Sequence, residues 1–215
     1  MLNLPPSLQP GDPAPDFALP AIHREGQVSL ADYRGRSALL LALFRGIYCP
    51  FCRRAISQLA LTADKLAAAG VAALAIVATQ LDRARLYFRY RPTARLALAA
   101  DPGLVTLRAF RVPRPEGEFQ QEVRAVRTDV GGELPAPLPI MEALNALDEK
   151  DRFEWTTTDQ EEHERQTPML LGQFLVDREG IIRWVNIEGT RRGAADIASF
   201  PADEEFLAAA ARLRG

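Results

Sequence analysis

Cysteine is nearly absent. The chain of 215 residues holds two, Cys49 and Cys52, which excludes a small secreted scaffold stapled by disulfides. Histidine is as scarce. His23 and His163 lie far apart in polar or loop contexts and are poor material for a metal site. Of the 26 basic residues only Lys65 and Lys150 are lysine; with the many alanines, this reads as a bias of the source genome. No stretch approaches the roughly 20 apolar residues of a membrane helix. The start, Met1 to Pro6, has neither the basic region nor the apolar run of a signal peptide. A soluble, cytoplasmic protein is therefore expected. The 26 basic and 28 acidic residues leave a formal charge of −2 and a pI near 5.8. That balance gives no electrostatic reason to hold nucleic acid or an anionic membrane. There is no Gly-rich phosphate loop, no nucleophile elbow and no repeat of fixed period.

What is present is ordinary globular material, 47% hydrophobic and 25% charged. The length suits one domain, 1–215, with a core of its own. Six of the sixteen prolines fall within residues 1–20, which predicts an extended N-terminal arm. Residues 29–36 read as a turn or short helix. Ser37 to Phe44 is an unbroken apolar run, as expected of a strand covered on both faces. From Pro50 to Ala69 the apolar residues Ile56, Leu59, Ala63 and Leu66 recur at helical spacing, and Gly70 is placed to end that helix. A second apolar run, Val71 to Ala78, completes a βαβ unit, which calls for parallel pairing. Gln80 to Tyr90 is expected to be helical, Leu96 to Ala99 a strand, and Asp101-Pro102-Gly103 the opening of a further helix. The rhythm then breaks at about 111–166, read as an insertion in which no residue stands out. Phe174 to Ile187 reads as a hairpin, and Phe206 to Leu213 as a closing helix with acids near its positive end. The sum is an α/β fold with a central sheet and helices on both faces.

The chemistry gathers at Cys49-Pro50-Phe51-Cys52, between a buried strand and a long helix. A helix start offers unpaired N–H groups and the positive end of the macrodipole, which stabilise a thiolate. Cys49 is the candidate nucleophile, as the more exposed of the two, with Cys52 the resolving thiol. Pro50 suits the first helical position. Arg45, four residues before Cys49, stands at the mouth of the same loop, as a supporting charge or a simple surface charge. Two other readings of the cysteines stay open: half of a zinc site lacking nearby partners, or inert core thiols. Arg83, Arg85, Arg89, Arg91 and Arg95 read as a solvated helix face. His163, among Glu161, Glu162 and Glu164, reads as a solvated histidine, and Trp155 and Trp184 as core or interface residues.

Four stretches carry a family resemblance. They are Gly11 to Pro20 (Gly-Asp-Pro-Ala-Pro-Asp-Phe-Ala-Leu-Pro), Val28 to Arg36, Phe44 to Arg53, and Phe174 to Arg183. Together they resemble the peroxiredoxin-like (AhpC/TSA) branch of the thioredoxin-like superfamily over residues 11–110 and about 170–213. The resemblance implies a thioredoxin-like fold with a central mixed sheet and a peroxidatic cysteine at Cys49. It further implies reduction of a small hydroperoxide, regeneration by an external thiol such as thioredoxin or glutathione, no cofactor, and a homodimer. Such proteins carry Thr or Ser three residues before the peroxidatic cysteine, Pro seven before, and Arg just ahead of the late strand. Here those places hold Gly46, Ala42 and a residue near Leu171, which leaves Arg45 as the candidate to supply the charge. Cys-Pro-Phe-Cys is also similar to the glutaredoxin-type Cys-Pro-Tyr-Cys, which implies a second activity class, disulfide exchange on protein or glutathione disulfides. Thioredoxin-like reductases place a cis-proline at the site, a part for which Pro168 is the candidate. A third class is a non-catalytic binding module that uses 111–166 as its partner surface.

Overall fold

The structure, a computed structural model, describes residues 7–91, 93, 95–167 and 169–214. The proline-rich arm leads into an antiparallel pair, β1 (Ala18–Pro20) and β2 (Gln27–Ser29). β3 (Ala38–Phe44) is buried along its whole length. α1 (Pro50–Ala68) and β4 (Val71–Val77) follow, and β3 pairs with β4 in parallel as the βαβ reading requires. Gly70 closes α1 at φ +79°, a conformation open to glycine at little cost. α2 (Leu81–Phe88) crosses to β5 (Leu96–Ala100), parallel to β4. Pro92, the proline inside that connection, lies outside the described residues.

After α3 (Val105–Ala109) comes the segment expected to be irregular. It holds α4 (Gly117–Ala125), a two-residue ladder of β6 (Arg127–Thr128) with β7 (Leu138–Pro139), α5 (Ile140–Asp151) and α6 (Thr157–Gln166). α5 buries Ala143, Leu144 and Leu147, a helical spacing present in the sequence but masked by the charged residues around it. α6 contains no apolar residue and starts on a reciprocal cap between Thr156 and Asp159. β8 (Gly172–Val176) and β9 (Ile182–Ile187) form the expected antiparallel hairpin. α7 (Asp203–Ala211) ends the regular structure with Asp203, Glu204 and Glu205 in its first turn.

The sheet order is β5-β4-β3-β8-β9, with β3 in the centre. Period-two alternation sends Leu40, Ala42 and Phe44 to one face, against α1, α2, α5 and α7. Leu39, Leu41 and Leu43 go to the other, against α3, α4 and the β1–β2 pair. Each leucine so buried is worth about 2 kcal/mol in water-to-core transfer. This rigid central strand delivers the chain at Phe44 to the loop that carries the cysteines.

Candidate active site

Arg45, Gly46, Ile47 and Tyr48 connect β3 to α1. Cys49 is the N-cap of α1, in extended backbone geometry, and Pro50 is the first helical residue. The Cys52 backbone N–H donates to the Cys49 sulfur at 3.3 Å. Both thiols are free and unbridged. Both are also buried, Cys49 at 3% exposure and Cys52 at 0%. The order of exposure agrees with the sequence reading, but neither sulfur lies open at a loop mouth. The tight packing of the residues before the helix is the cause.

Polar contacts hold that packing together. Thr79 Oγ1 accepts the Ile47 N–H at 3.0 Å. Gln166 Oε1 accepts the Gly46 N–H at 3.0 Å, while its amide nitrogen donates to the Ala78 carbonyl. Arg53 Nη1 donates to the Ile47 and Tyr48 carbonyls at 3.0 and 3.3 Å. A cation in the first turns of a helix opposes the macrodipole. Arg53 is tolerated because its other nitrogen reaches Asp148 at 2.6 Å and Asp151 at 2.7 Å, and because its plane lies 4.2 Å from the centre of the Phe153 ring. Asp148 also accepts the Trp155 indole N–H at 2.7 Å.

Arg45 is mostly covered rather than a simple surface charge, with a side chain 13% exposed. It donates to the Met169 carbonyl at 2.7 Å and pairs with Glu188 at 3.3 Å. Glu188 is fixed in turn by the backbone N–H groups of Leu171 and Ala198 at 3.0 and 2.7 Å. Burial alone would raise the Cys49 thiol. The Cys52 side chain, the Arg45 guanidinium and the Cys52 N–H together outweigh it and bring the thiol down to about 6, with Glu188 acting the other way. Burial, then the hydrogen bond and charge of Cys49, push Cys52 well up. One sulfur is thus poised as a thiolate and its neighbour as a thiol.

Residues 10–185 match the sequence model of the AhpC/TSA family. The chain belongs to the AhpC/TSA family. No curated protein sequence matches it. Among solved structures it is similar to the reduced 2-Cys peroxiredoxin of Plasmodium vivax, at 14% identity over 95% of this chain and 81% of that one, with a TM-score of 0.58. It is similar to peroxidoxin BcpB of Mycobacterium tuberculosis at 14% identity over 96% and 97%, TM-score 0.57. A Chlorobium tepidum structure described as the thiol:disulfide interchange protein DsbE matches at 23% identity over 95% and 99%, TM-score 0.53. At these identities the likeness is one of fold, and the fold is thioredoxin-like. Membership of the AhpC/TSA family, with two thiols in one motif, supports a thiol-dependent oxidoreductase in general. Among the described residues no helix is long and apolar enough to cross a membrane.

Several sequence readings need correction. The segment 111–166 does not lack distinctive residues, because Asp148, Asp151, Trp155, His163 and Gln166 all bear on the cysteine loop. His163 is half-buried rather than fully solvated. Its ring meets Tyr48 at 5.2 Å and Trp155 at 5.4 Å, both edge-on, and burial lowers its pKa. Arg83 does not belong to a solvated face: it is 14% exposed and grips the fully buried Asp159 at 2.7 Å. Arg85 and Arg95 do make exposed ion pairs, with Glu25 and Asp64. Leu171 is a buried apolar side chain whose N–H holds Glu188. Pro168 lies outside the described residues. Arg53 and Arg54 were expected only as positive charge near the cysteines; Tyr48, Glu188 and the acidic partners of Arg53 were missed, since nothing local in the sequence couples Arg53 to residues 95 and 98 positions away, or Arg45 to one 143 positions away.

Proposed function

We propose that this protein reduces hydroperoxides with Cys49 as nucleophile and Cys52 as resolving thiol. The Cys49 thiolate attacks the terminal peroxide oxygen. An S–O bond forms, the O–O bond breaks, and the departing oxygen leaves as water or an alcohol after protonation. The Cys52 thiol attacks the sulfenic sulfur, water departs, and a disulfide joins the pair. Two electrons from an external thiol, of the thioredoxin or glutathione class, restore both thiols. Arg45 and Pro50 support this site, Arg45 as the mostly covered cation beside the thiolate and Pro50 as the helix start that places it.

One observation carries the reading: the buried Cys49 sulfur caps the start of α1 and accepts the Cys52 N–H at 3.3 Å, a setting in which the Cys52 side chain and the Arg45 guanidinium also favour the thiolate. Its 3% exposure favours a small oxidant over a protein disulfide, whose sulfur must approach in line at the surface. The second reading, disulfide exchange, is favoured by the Cys-Pro-Phe-Cys spacing alone. The test is turnover of hydrogen peroxide and of a small disulfide by wild type, Cys49→Ser and Cys52→Ser. Cys49→Ser is expected to abolish peroxide consumption. Cys52→Ser is expected to undergo one oxidation and then stall without added thiol. Peroxide consumption that survives Cys49→Ser rejects the proposal. Turnover of disulfide but not peroxide by wild type selects the second reading, and turnover of neither selects a binding role.

A further inference from the structure

Two cavities flank the region of the cysteine loop, and one short segment walls them apart. A basin of about 1080 Å³ reaches the redox motif at Phe51 and continues along α1 past Gln58 and Leu61. A smaller cavity of about 280 Å³ reaches Glu188, the partner of Arg45. Among the described residues no cysteine lines either one, whereas Ser199 and Phe200 line both and so form the shared wall. The segment that carries them, 197–201, is anchored at each end. At one end the Ala198 N–H donates at 2.7 Å to Glu188 Oε1, the same oxygen that accepts Arg45 Nη2 at 3.3 Å. At the other the Pro201 carbonyl accepts Gln58 Nε2 of α1 at 2.9 Å. The chain thus crosses from the counter-ion of Arg45 to the helix that Cys49 begins. Ala198 makes the crossing at φ +64°, a left-handed conformation that alanine holds only where surrounding contacts impose it. Ser199 is exposed, and Phe200 turns inward. Its ring stacks on Phe44 at 5.8 Å and tilts against Phe206 at 5.5 Å. Phe44 is fully buried and is the residue from which the cysteine loop departs.

We propose that Phe200 is a specificity-determining residue: its ring keeps the two cavities from merging beside the Cys49 loop and so restricts the thiolate to hydroperoxides about the size of hydrogen peroxide. This rests on the hydroperoxide reading above and names the size class of its substrate. Each cavity has room for a compact organic group, yet Cys49 is only 3% exposed. A bulky hydroperoxide therefore finds space on either side of the wall and no path that brings its O–O bond in line with the sulfur. A ring on a loose loop would swing aside for such a substrate. This one is held, because the backbone is bonded on both sides of it and the ring packs against two others. A fixed pocket wall discriminates by about 10- to 200-fold over one misfitting apolar group. Phe200 is placed to exert that discrimination against an aryl or branched alkyl chain.

Phe200→Ala removes the ring, and Phe200→Leu keeps part of its bulk. On reduced protein at pH 7, two ratios are measured. The first is the rate of oxidation by cumene hydroperoxide over that by hydrogen peroxide. The second is the rate of thiol modification by N-phenylmaleimide over that by iodoacetamide, which reads access to the sulfur without peroxide chemistry. Phe200→Ala is expected to raise both ratios about tenfold, with the hydrogen peroxide and iodoacetamide rates within about threefold of wild type, and Phe200→Leu to raise them less. Unchanged ratios in Phe200→Ala overturn the inference, as does a wild type that reduces cumene hydroperoxide as fast as hydrogen peroxide. In either case rapid oxidation by hydrogen peroxide leaves the hydroperoxide reading standing. A larger rise in the iodoacetamide rate overturns the inference too, since the loop then opens as a whole. A raised modification ratio, with wild type oxidised no faster than a free thiolate of the same alkylation rate, sustains the partition and overturns the reading beneath it. Should near-ultraviolet circular dichroism show that Phe200→Ala does not fold, Phe200→Leu and the wild-type ratios decide by the same criteria.

Discussion

The Cys49 sulfur accepts the backbone N–H of Cys52 at 3.3 Å, so the thiol caps the helix that it begins. A cap of this kind is stronger when ionised. Alkylation of the reduced protein is expected to follow a single titration with a midpoint near pH 6, the rate being full above it and falling as the pH drops through it. Arg45→Met and Cys52→Ala each remove an interaction that lowers the thiol, so each is expected to move the midpoint up toward the free value of about 8.5. Stopped-flow alkylation across pH 4 to 9 checks this. A wild-type midpoint above 8 contradicts it.

Gly46 and Tyr48 are sterically coupled. Gly46 does not have a left-handed φ, so the penalty for a side chain there comes from the Tyr48 ring at 2.6 Å and not from the backbone. Gly46→Ala is expected to destabilise the protein by about 1–3 kcal/mol. Most of that cost should vanish when the same change is made in a Tyr48→Ala background, a coupling that a double-mutant cycle in urea measures. An additive cycle would show that the ring is not what excludes a side chain at position 46.

Arg53 and Asp151 should respond unequally to truncation. Arg53→Met leaves the buried Asp148 without its cation and frees the Ile47 and Tyr48 carbonyls. Breaking a buried pair in this way costs about 3–5 kcal/mol. Asp151 is 29% exposed, and Asp151→Asn is expected to cost about 1 kcal/mol or less, as a partly solvated pair does. Urea midpoints at constant slope test the ranking, and equal losses would refute it.

Gln166→Ala is expected to cost about 1–3 kcal/mol, because it leaves the Gly46 N–H and the Ala78 carbonyl buried and unpaired. Alkylation of Cys49 should accelerate at fixed pH as the loop loosens, with no shift in the midpoint. An unchanged rate would show that Gln166 does not restrain the loop.

Long apolar runs made the frame legible. β3, α1, β4 and the β8–β9 hairpin lie where periodicity and turn residues put them, because each buries a contiguous apolar stretch against both faces or one stripe. α5 carried a readable spacing in Ile140, Ala143, Leu144 and Leu147, hidden by its acidic neighbours. α6 could not be read from hydrophobicity. Its inward positions, Asp159, Glu162, His163 and Gln166, follow helical spacing but are all polar, and only the Thr156–Asp159 cap marked its start. At the site, the cysteines, Pro50 and Arg45 were visible because a helix start imposes local rules. Tyr48 looked like any aromatic residue until Gly46 was seen to make room for it. The partners Asp148, Trp155, Gln166 and Glu188 approach through tertiary packing, which leaves no mark in a single sequence.

The cation that Arg53 brings to the positive end of α1 binds the redox motif to one particular neighbourhood. Pro-Phe-Cys-Arg cannot be grafted onto a trimmer relative as a cassette, since the guanidinium would arrive with its counter-ions left behind on α5. Nor is α5 disposable ornament: deleting it would strand a charge against a helix start that repels it. Motif and excursion are one physical unit, and a chain shortened in one would need the other rewritten.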